Sequence, residues 1–330
     1  MEYRYLGKTG VHVSELCFGT LAFGTVVDED TAAALFQHCR DVGINFFDCA
    51  DTYSGGCSEE LLGKLIRGCR DEVVITSKVF WPMGTDVNSR GLSRRHIMEA
   101  VEASLKRLNT DYIDIYFLHD FDTRTQLHQS LRALDDLVRQ GKVLYTGCSN
   151  FAAWQTARAL GICEREGWES FDVIEPMYNL VKRQAEVEIF PLAQYENLGA
   201  ITYSPAGGGL LTGEYGPDRR PDHGRLVEND AYAARYGELW HYETAERFTA
   251  FAREGGYEPT GLALAWAAAH PAVTAPIIGA YTKAELDKYL TALDIKMTPE
   301  LRKEISALSQ EPPQPTDRTE MRLPKWHGIR

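Results

Sequence analysis

The chain has 330 residues, of which 44% are hydrophobic and 25% charged, as in an ordinary globular protein with a large core. Its formal charge of −12 argues against nucleic acid or an anionic membrane surface as the main partner, although local cations can still bind a phosphate-bearing ligand. No apolar run is long enough for a transmembrane helix, and the polar start lacks the apolar core of a signal peptide. Seven scattered cysteines without zinc-type spacing fit a reducing compartment, so we expect a cytoplasmic protein without a metal site.

Short apolar strands alternate with amphipathic helices along almost the whole chain. The residues that predict an N-terminal hairpin are 4–6 and 11–13. The eight strands that follow are predicted at residues 15–18, 44–48, 73–78, 112–119, 143–148, 173–175, 200–204 and 273–278. The predicted helices span residues 28–42, 93–108, 127–139, 151–166, 183–197, 239–253, 259–270, 283–293 and 299–309, with one more starting at Ser58. A long loop rich in Gly, Pro and charge is predicted at residues 206–237.

This alternation predicts a single α/β domain, a (β/α)8 TIM barrel over residues 1–310, with the N-terminal β-hairpin and extra helices near the C-terminus. A C-terminal tail follows at 311–330. The competing fold is a doubly wound open sheet, which needs a G-x-G-x-x-G turn after the first strand. The sequence there is GTLAFG at residues 19–24, which lacks that pattern. The barrel is therefore strongly preferred.

Four polar side chains follow three consecutive predicted strands. Asp48 ends the second strand, Tyr53 lies in the next loop, Lys78 ends the third strand and His119 ends the fourth. Strand ends converge on one face of a barrel, so these groups should meet at one mouth. An adjacent ammonium is expected to lower the pKa of a phenol, while a histidine can polarise a carbonyl oxygen. Singly, each residue could be structural, as an ion pair, a core histidine or a surface tyrosine.

The chain resembles the aldo-keto reductases over nearly everything from Tyr5 to about Leu308. The matching stretches are FGTLAFG, NFFDCADTYSGGCSEELLGK, VVITSKV, GLSRRHIMEAVEASLKRLNTDYIDIYFLH, ALDDLVRQGKVLYTGCSNF, YSPAGGGLLTG and LALAWAAAHPAVTAPIIGA. The resemblance implies a barrel that reduces aldehydes or ketones with a bound nicotinamide cofactor, without a Rossmann domain or a metal. It also implies roles for the four polar residues. Tyr53 donates the proton, Lys78 and Asp48 tune the pKa of the Tyr53 phenol, and His119 orients the carbonyl.

The resemblance assigns a cofactor site as well. Ser149 and Asn150 match residues that hold the nicotinamide carboxamide, Tyr203 matches the residue on which the ring stacks, and residues 204–213 match the loop around the pyrophosphate. The full set of expected cofactor-binding residues is Gly19, Thr20, Asp48, Ser149, Asn150, Glu175, Tyr203, Ser204, Pro205, Gly207, Gly209, Leu210, Gly213, Gly279, Tyr281, Lys283, Glu285 and Tyr289.

Three departures from the family pattern concern this site. Glu175 stands where the family usually has a glutamine, and an ionised carboxylate cannot donate to the carboxamide oxygen. Tyr281 occupies a slot in which the family often has an arginine against the 2′-phosphate of NADP. Glu285 and Tyr289 replace the usual glutamine and asparagine near the adenine, and Lys283 could attract the phosphate that Glu285 repels. We therefore expect NADP(H), with NAD(H) as the alternative.

The substrate pocket is expected at the same barrel face. The candidates are Leu21, Phe23, Trp81, Phe121 and, if the tail folds over the mouth, Trp326. A contact between the tail and a neighbouring subunit is the alternative, and the oligomeric state stays open. The expected partner is a small aldehyde, ketone, sugar carbonyl or alcohol. Two other functions stay open: a cofactor-binding regulatory or scaffold subunit, since the family also contains channel-associated barrels, and an enzyme that uses the cofactor for net non-redox chemistry.

Overall fold

Eight parallel strands close into a barrel in the computed structural model, which describes residues 1–316. After the antiparallel hairpin strands, the barrel strands follow in chain order; the ten strands are β1 (Tyr3–Tyr5), β2 (His12–Ser14), β3 (Cys17–Gly19), β4 (Phe46–Asp48), β5 (Val74–Val79), β6 (Ile113–Leu118), β7 (Val143–Ser149), β8 (Phe171–Glu175), β9 (Gly199–Thr202) and β10 (Ala275–Ile278). Each barrel strand pairs with its successor, and β10 pairs with β3 to close the ring. The predicted (β/α)8 barrel is confirmed, and the open sheet is excluded.

Helices surround the barrel and connect its strands. The α-helices are α1 (Glu29–Asp41), α2 (Cys57–Leu65), α3 (Arg94–Leu108), α4 (Leu127–Arg139), α5 (Ala153–Glu166), α6 (Ile189–Tyr195), α7 (Arg225–Glu228), α8 (Asp230–Arg235), α9 (Leu239–Glu254), α10 (Pro259–Ala268), α11 (Lys283–Leu290) and α12 (Pro299–Ser306). Short 3₁₀ turns lie at Tyr53–Gly56, Ile66–Gly68, Arg70–Glu72, Gln184–Glu186, Gly207–Gly209 and Thr291–Asp294. The side chain of Asp28 caps α1 by accepting from the backbone N–H of Thr31, as its position predicts.

Two connections differ from the sequence-based prediction. The helix predicted over residues 183–197 is wrong as a continuous element, because a 3₁₀ turn ends at Glu186 and α6 begins only at Ile189. Pro191 explains the restart: proline has no N–H to donate, so it fits the first turn of a helix but not its interior. The predicted loop at 206–237 contains the short helices α7 and α8, and we call these residues the excursion.

The hairpin closes the amino-terminal end of the barrel. Leu6 and Val13 are fully buried and pack with Phe46 and Phe117 inside the ring. Gly7 has a φ of +54°, and a Cβ on it would lie 2.3 Å from the backbone nitrogen of Gly199, so no larger residue fits there. With this end plugged by apolar side chains, the opposite end of the barrel is the one open to ligands. No helix within residues 1–316 combines the length and apolar character needed to cross a membrane.

Candidate active site

The carboxyl ends of the barrel strands open into one cavity of about 700 Å³. Strand register brings the polar ends together, because Gly19 of β3 pairs with Asp48 of β4 and Ser149 of β7 pairs with Glu175 of β8. One end of the cavity is lined by strand ends, including Asp48 and Glu175, and the other by the excursion and α11. The cavity therefore has a strand-built end, which we call the barrel end, and a loop-built end, which we call the outer end.

Lys78 is the centre of the barrel end. Its side chain is fully buried, and its Nζ pairs with Asp48 Oδ1, donates to the carbonyl oxygen of Cys49 at 3.0 Å and contacts Tyr53 Oη at 3.4 Å. Glu175 Oε2 lies 3.3 Å from the same Nζ. The four predicted catalytic residues thus meet at one mouth, since the ring of His119 stands edge-on to that of Tyr53 with 6.0 Å between centroids.

Asp48 is itself held in place by neighbours on the strands. Thr76 Oγ1 donates to Asp48 Oδ1 at 2.6 Å, and Thr20 donates to the backbone oxygen of Asp48 through both its N–H and its hydroxyl. Thr20 is fully buried and lies beneath the site rather than on the cavity wall. Thr76 was not indicated by the sequence, although its place two residues before Lys78 on the same face of a strand is a usable signal.

A glycine-rich turn presents Tyr53 to the cavity. Tyr53–Gly56 forms a 3₁₀ turn in which Ser54, Gly55 and Gly56 all have positive φ angles. Opposite this turn, a Cβ on Gly24 would lie 2.7 Å from the Cβ of Cys57, so the loop after β3 can pack against α2 only with glycine at 24. The phenol is therefore placed by backbone geometry that the segment's glycines permit.

Burial and neighbouring charges set the protonation states of these groups. Burial opposes the charge of Lys78, but Asp48 and Glu175 outweigh it and hold the pKa of Lys78 well above its ordinary value. Burial raises the pKa of Tyr53 well above its ordinary value, and Lys78 lowers it only in part. The expected net lowering is therefore wrong: the phenol stays protonated at neutral pH. Burial, then Lys78, lowers the pKa of His119 to about 3, so its imidazole is neutral.

Ser149, Asn150 and Tyr203 form a hydrogen-bonded wall of the barrel end. Tyr203 Oη donates to Asn150 Oδ1 at 2.7 Å, and Asn150 Nδ2 donates to Ser149 Oγ at 3.1 Å and to the backbone oxygen of His119 at 2.9 Å. Ser149 Oγ donates to the backbone oxygen of Glu175 at 2.9 Å. Asn150 has a φ of 58°, a left-handed conformation that asparagine tolerates. This wall could hold a flat ring that carries an amide.

The glycine-rich segment at 204–213 lies between the two ends of the cavity. Ser204, Pro205 and Gly209 line it, together with Gly208, which the sequence did not single out. A Cβ on Gly208 would lie 2.7 Å from the ring of Tyr232, which explains the glycine. Three of the predicted residues do not line the cavity: Gly207 packs on Leu210, Leu210 is fully buried in the core, and Gly213 packs on Pro259.

The outer end contains four of the predicted residues and also Arg225, a cation that the sequence did not predict. The predicted ones lining it are Gly279, Tyr281, Glu285 and Tyr289. Glu285 Oε2 accepts from the backbone N–H of Tyr281 at 2.8 Å, and Tyr281 Oη accepts from Arg225 Nε at 2.8 Å. Arg225 lies on α7 of the excursion.

Two further cations that the sequence did not predict also line the cavity, Arg235 of α8 and Lys288 of α11. Lys283 does not line the cavity, whereas Lys288 of the same helix does. Arg225, Arg235, Tyr232 and Lys288 were therefore missed. The arginines and tyrosines of the excursion indicate a ligand-binding segment. However, neither the hydrophobic periodicity nor the spacing of these residues in the sequence shows which of them face the cavity.

The predicted substrate residues divide into two groups. Leu21 and Trp81 line the cavity and are partly exposed. Phe23 does not: it is almost fully buried and packs on Phe18, because the turn after β3 directs it into the core. Phe121 packs on Phe151 with centroids 5.1 Å apart and is also off the cavity wall. Trp326 and most of the predicted tail lie outside the described residues.

Comparison with known proteins identifies the family. Residues 15–310 match the sequence profile of the Aldo/keto reductase family, and the chain belongs to this family. Among its relatives is a probable voltage-gated potassium channel subunit beta of Oryza sativa subsp. japonica, 36% identical over 96% of this chain and 99% of that one. An uncharacterised oxidoreductase, YrpG, of Bacillus subtilis is 37% identical over 91% and 94%. A versiconal hemiacetal acetate reductase of Aspergillus parasiticus is 33% identical over 91% and 94%.

Proposed function

We propose that the protein is an oxidoreductase that transfers a hydride between a nicotinamide cofactor and an aldehyde, ketone or sugar carbonyl. The main observation behind this proposal is that Tyr53 Oη lies 3.4 Å from the Nζ atom of the buried Lys78. This contact is at the mouth of a cavity that His119 also lines. Membership of the Aldo/keto reductase family and the reductase and oxidoreductase names of two relatives support the reaction class.

Tyr53 is the proton donor of this proposal. Its phenol is neutral at neutral pH, so a proton is available for the oxygen of a carbonyl that receives a hydride. The phenolate that remains lies beside the Lys78 ammonium, whose positive charge stabilises it. Asp48 keeps that ammonium charged and in position. His119, held neutral, donates a hydrogen bond to the carbonyl oxygen and orients it towards Tyr53.

The residues along the cavity fit a nicotinamide dinucleotide. Tyr203 offers a ring for stacking, and Ser149, Asn150 and Glu175 offer partners for the carboxamide. The segment at 204–213 offers backbone N–H groups to phosphates. At the outer end, Arg225 is paired with tyrosines rather than carboxylates among the described residues, which leaves its charge for a phosphate. When bound, the cofactor supplies or accepts the hydride. We take NADP(H) as this cofactor, with NAD(H) as the alternative.

The substrate would occupy the mouth between Leu21, Trp81 and the Tyr53–His119 pair. The wall there combines apolar side chains with two hydrogen-bonding groups, which suits a small carbonyl compound or the corresponding alcohol. A relative named putative aryl-alcohol dehydrogenase in Schizosaccharomyces pombe is 32% identical over 90% of this chain and supports this substrate class. A cytoplasmic location belongs to the same proposal.

The test has two stages. First, the purified protein is titrated with NADPH and with NADH, and binding is monitored by the quenching of tryptophan fluorescence. The quench should saturate with each cofactor. A panel of aldehydes, ketones and sugars should then consume reduced nicotinamide in the presence of enzyme. The enzymatic proposal would be rejected if the protein bound the cofactor but neither reduced any carbonyl compound nor oxidised any alcohol.

That rejecting outcome is what a second candidate function predicts. The relatives from Oryza sativa and Arabidopsis thaliana are both named probable voltage-gated potassium channel subunit beta, and each matches over almost its whole length. A cofactor-binding regulatory subunit would bind nicotinamide with slow or no turnover. A third possibility, net non-redox chemistry, would appear as substrate conversion with no change in the amount of reduced cofactor.

A further inference from the structure

The ammonium of Lys78 lies between two buried carboxylates rather than beside one. Asp48 pairs closely with it, and Glu175 Oε2 lies 3.3 Å from the same Nζ. The three side chains are 0%, 3% and 4% exposed for Lys78, Asp48 and Glu175. One cation cannot balance two ionised carboxylates, so the trio carries either an excess negative charge or an extra proton.

Glu175 contributes a buried oxygen that contacts the Lys78 ammonium but receives no hydrogen bond. Its Oε2 is buried and, apart from the ion pair with Lys78, has no hydrogen-bond partner within residues 1–316. Glu175 also lines the cavity beside Ser149, Asn150 and Tyr203, on the wall assigned above to a flat ring with an amide. A buried acceptor of this kind is costly unless a ligand or a proton satisfies it.

Glu175 can meet such a ligand in two chemical forms. As a carboxylic acid it has one donor and one acceptor, which match the oxygen and the NH₂ group of a carboxamide. As a carboxylate it can only accept, but its negative charge attracts a positively charged ring. The nicotinamide ring is positively charged when oxidised and neutral when reduced. The two forms of Glu175 therefore suit the two forms of the cofactor.

We propose that Glu175 couples cofactor binding to a proton: the carboxylate favours the oxidised nicotinamide, and the carboxylic acid pairs with the carboxamide of the reduced one. The inference rests on the proposed function of the same site. Glu175 acts by selecting the redox form of the cofactor, and Tyr53 remains the proton donor to the substrate.

The protonation of Glu175 falls in an accessible pH range. Burial and the charge of Asp48 raise the pKa of Glu175 to about 8, against the opposite effect of Lys78. Other titratable groups face it from the neighbouring strands and loops, namely Asp48, Lys78, Tyr53, Tyr203, Cys17 and His119. The pKa values of Lys78, Tyr53, Tyr203 and Cys17 are raised and that of His119 is lowered to about 3, so these five do not titrate near pH 8.

The sign of the pH dependence follows from linkage. A positive ring beside Glu175 stabilises its carboxylate and lowers its pKa, so the complex with oxidised cofactor binds fewer protons than the free protein. Affinity for the oxidised form should therefore rise with pH and level off above the free-protein pKa of about 8. Affinity for the reduced form should not rise, because a neutral ring gains nothing from the carboxylate.

Calorimetric titration with NADP⁺ and NADPH measures this coupling directly. Titrations near pH 7 in two buffers with different heats of ionisation give the number of protons released on binding. Wild type should release up to about one proton with NADP⁺ and close to none with NADPH. Glu175→Gln should release none with either. Asp172→Asn is the matched control, because Asp172 is a carboxyl of raised pKa at the other end of the same strand, and it should behave as wild type.

The dissociation constants give a second readout. Above pH 8, Glu175→Gln should weaken the binding of NADP⁺ relative to that of NADPH by about tenfold, within the usual range for coupled equilibria. For a two-electron couple this corresponds to about 30 mV in the potential of the bound cofactor. A loss of packing alone would weaken both forms together and would leave their ratio unchanged.

Three results would overturn the inference. Equal proton release by wild type and Glu175→Gln would assign the proton to another group and leave the proposed function standing. Parallel pH profiles of the two wild-type dissociation constants would do the same, and this measurement decides the matter even if the variant does not fold. Failure of wild type to bind either cofactor would reject both the inference and the proposed function.

Discussion

The two ends of the cavity are built in different ways. At the barrel end, Asp48, Lys78 and Glu175 are residues of three strands and are almost fully buried, and both carboxyl groups contact the ammonium of Lys78. At the outer end, Arg225 belongs to a four-residue helix in the excursion and reaches Tyr281 through one hydrogen bond. Strand ends are fixed by the hydrogen-bonded register of the whole ring, whereas a loop-borne helix is fixed by a few local contacts.

This difference predicts where substitutions act most strongly. At the barrel end each polar group contacts several other polar groups and is shielded from water. Removing one of these side chains therefore affects its neighbours as well. At the outer end the groups are partly exposed and joined by few hydrogen bonds, so each removal should cost less and should affect cofactor choice more than chemistry. The predictions below test this contrast, from the largest expected effect to the smallest.

Tyr53→Phe should lower carbonyl reduction by about 10²–10⁴-fold, the usual cost of losing a general acid. Cofactor affinity should stay within a few-fold, because the ring that packs in the site is kept. The measurement is the steady-state rate with the best carbonyl found in the screen, beside a fluorescence titration with NADPH. Tyr145→Phe is the control, since that phenol bonds to Thr9 at the plugged end of the barrel. A Tyr53→Phe enzyme that kept most of its rate would contradict the assigned proton donor.

Lys78→Met should both inactivate the enzyme and destabilise the barrel. The variant leaves the Asp48 carboxylate buried without its cation, and breaking a buried pair in this way costs about 3–5 kcal/mol. Urea unfolding followed by circular dichroism measures the change in the free energy of unfolding. Adding Glu175→Gln to Lys78→Met should recover little of it at neutral pH, because Glu175, whose pKa is about 8 even beside Lys78, is already protonated there. A loss below about 1 kcal/mol would place the pair among weak, surface-type ion pairs.

The same contrast explains what the sequence could predict. In a closed barrel, a polar residue that marks the carboxyl end of a strand must lie at the open mouth, so the sequence alone predicts that Asp48, Lys78 and His119 come together there. The orientation of Phe23 was not predictable in this way, because it follows a strand within a turn whose φ and ψ angles decide between core and cavity. Pro191 shows a missed local signal, since a proline inside a predicted helix marks a start or a break.

The outer end lay beyond sequence reasoning for a physical reason. Arg225 comes close to Tyr281 although the two are 56 positions apart in the chain. No strand register or helical period connects them, and the excursion has neither a long apolar face nor a fixed turn pattern. The signal that was available, several arginines and tyrosines in one polar segment, indicates a ligand but not which side chains meet it.

Arg225→Met should weaken NADPH binding by about 10- to 100-fold, the range expected for losing charged hydrogen bonds to a phosphate. The effect on NADH should be smaller if the lost partner is the 2′-phosphate, and equal if it is the pyrophosphate. Dissociation constants of both cofactors distinguish these cases. Arg219→Met is the control, because Arg219 lies in the same excursion but pairs with Glu246 at 2.9 Å away from the cavity. An Arg225→Met protein with unchanged constants would remove the excursion from the cofactor site.

Tyr281→Phe should have the smallest effect. The hydroxyl of Tyr281 accepts from Arg225 Nε at 2.8 Å and so holds the guanidinium over the outer end. Its removal costs one hydrogen bond, about 0.5–1.5 kcal/mol, while the Tyr281 ring and the Arg225 charge remain. We expect NADPH binding to weaken by roughly two- to tenfold, with no change in the rate of the chemical step at saturating cofactor.

If Tyr281→Phe and Arg225→Met weaken NADPH binding equally, the hydroxyl must be what makes the arginine effective, and the outer end would be as interdependent as the barrel end. A much smaller effect of Tyr281→Phe would instead show that Arg225 acts through its own charge. Comparing the double variant with the two single ones measures that coupling, which should stay within the roughly 0.5–1.5 kcal/mol of one hydrogen bond if the two ends differ as their construction indicates.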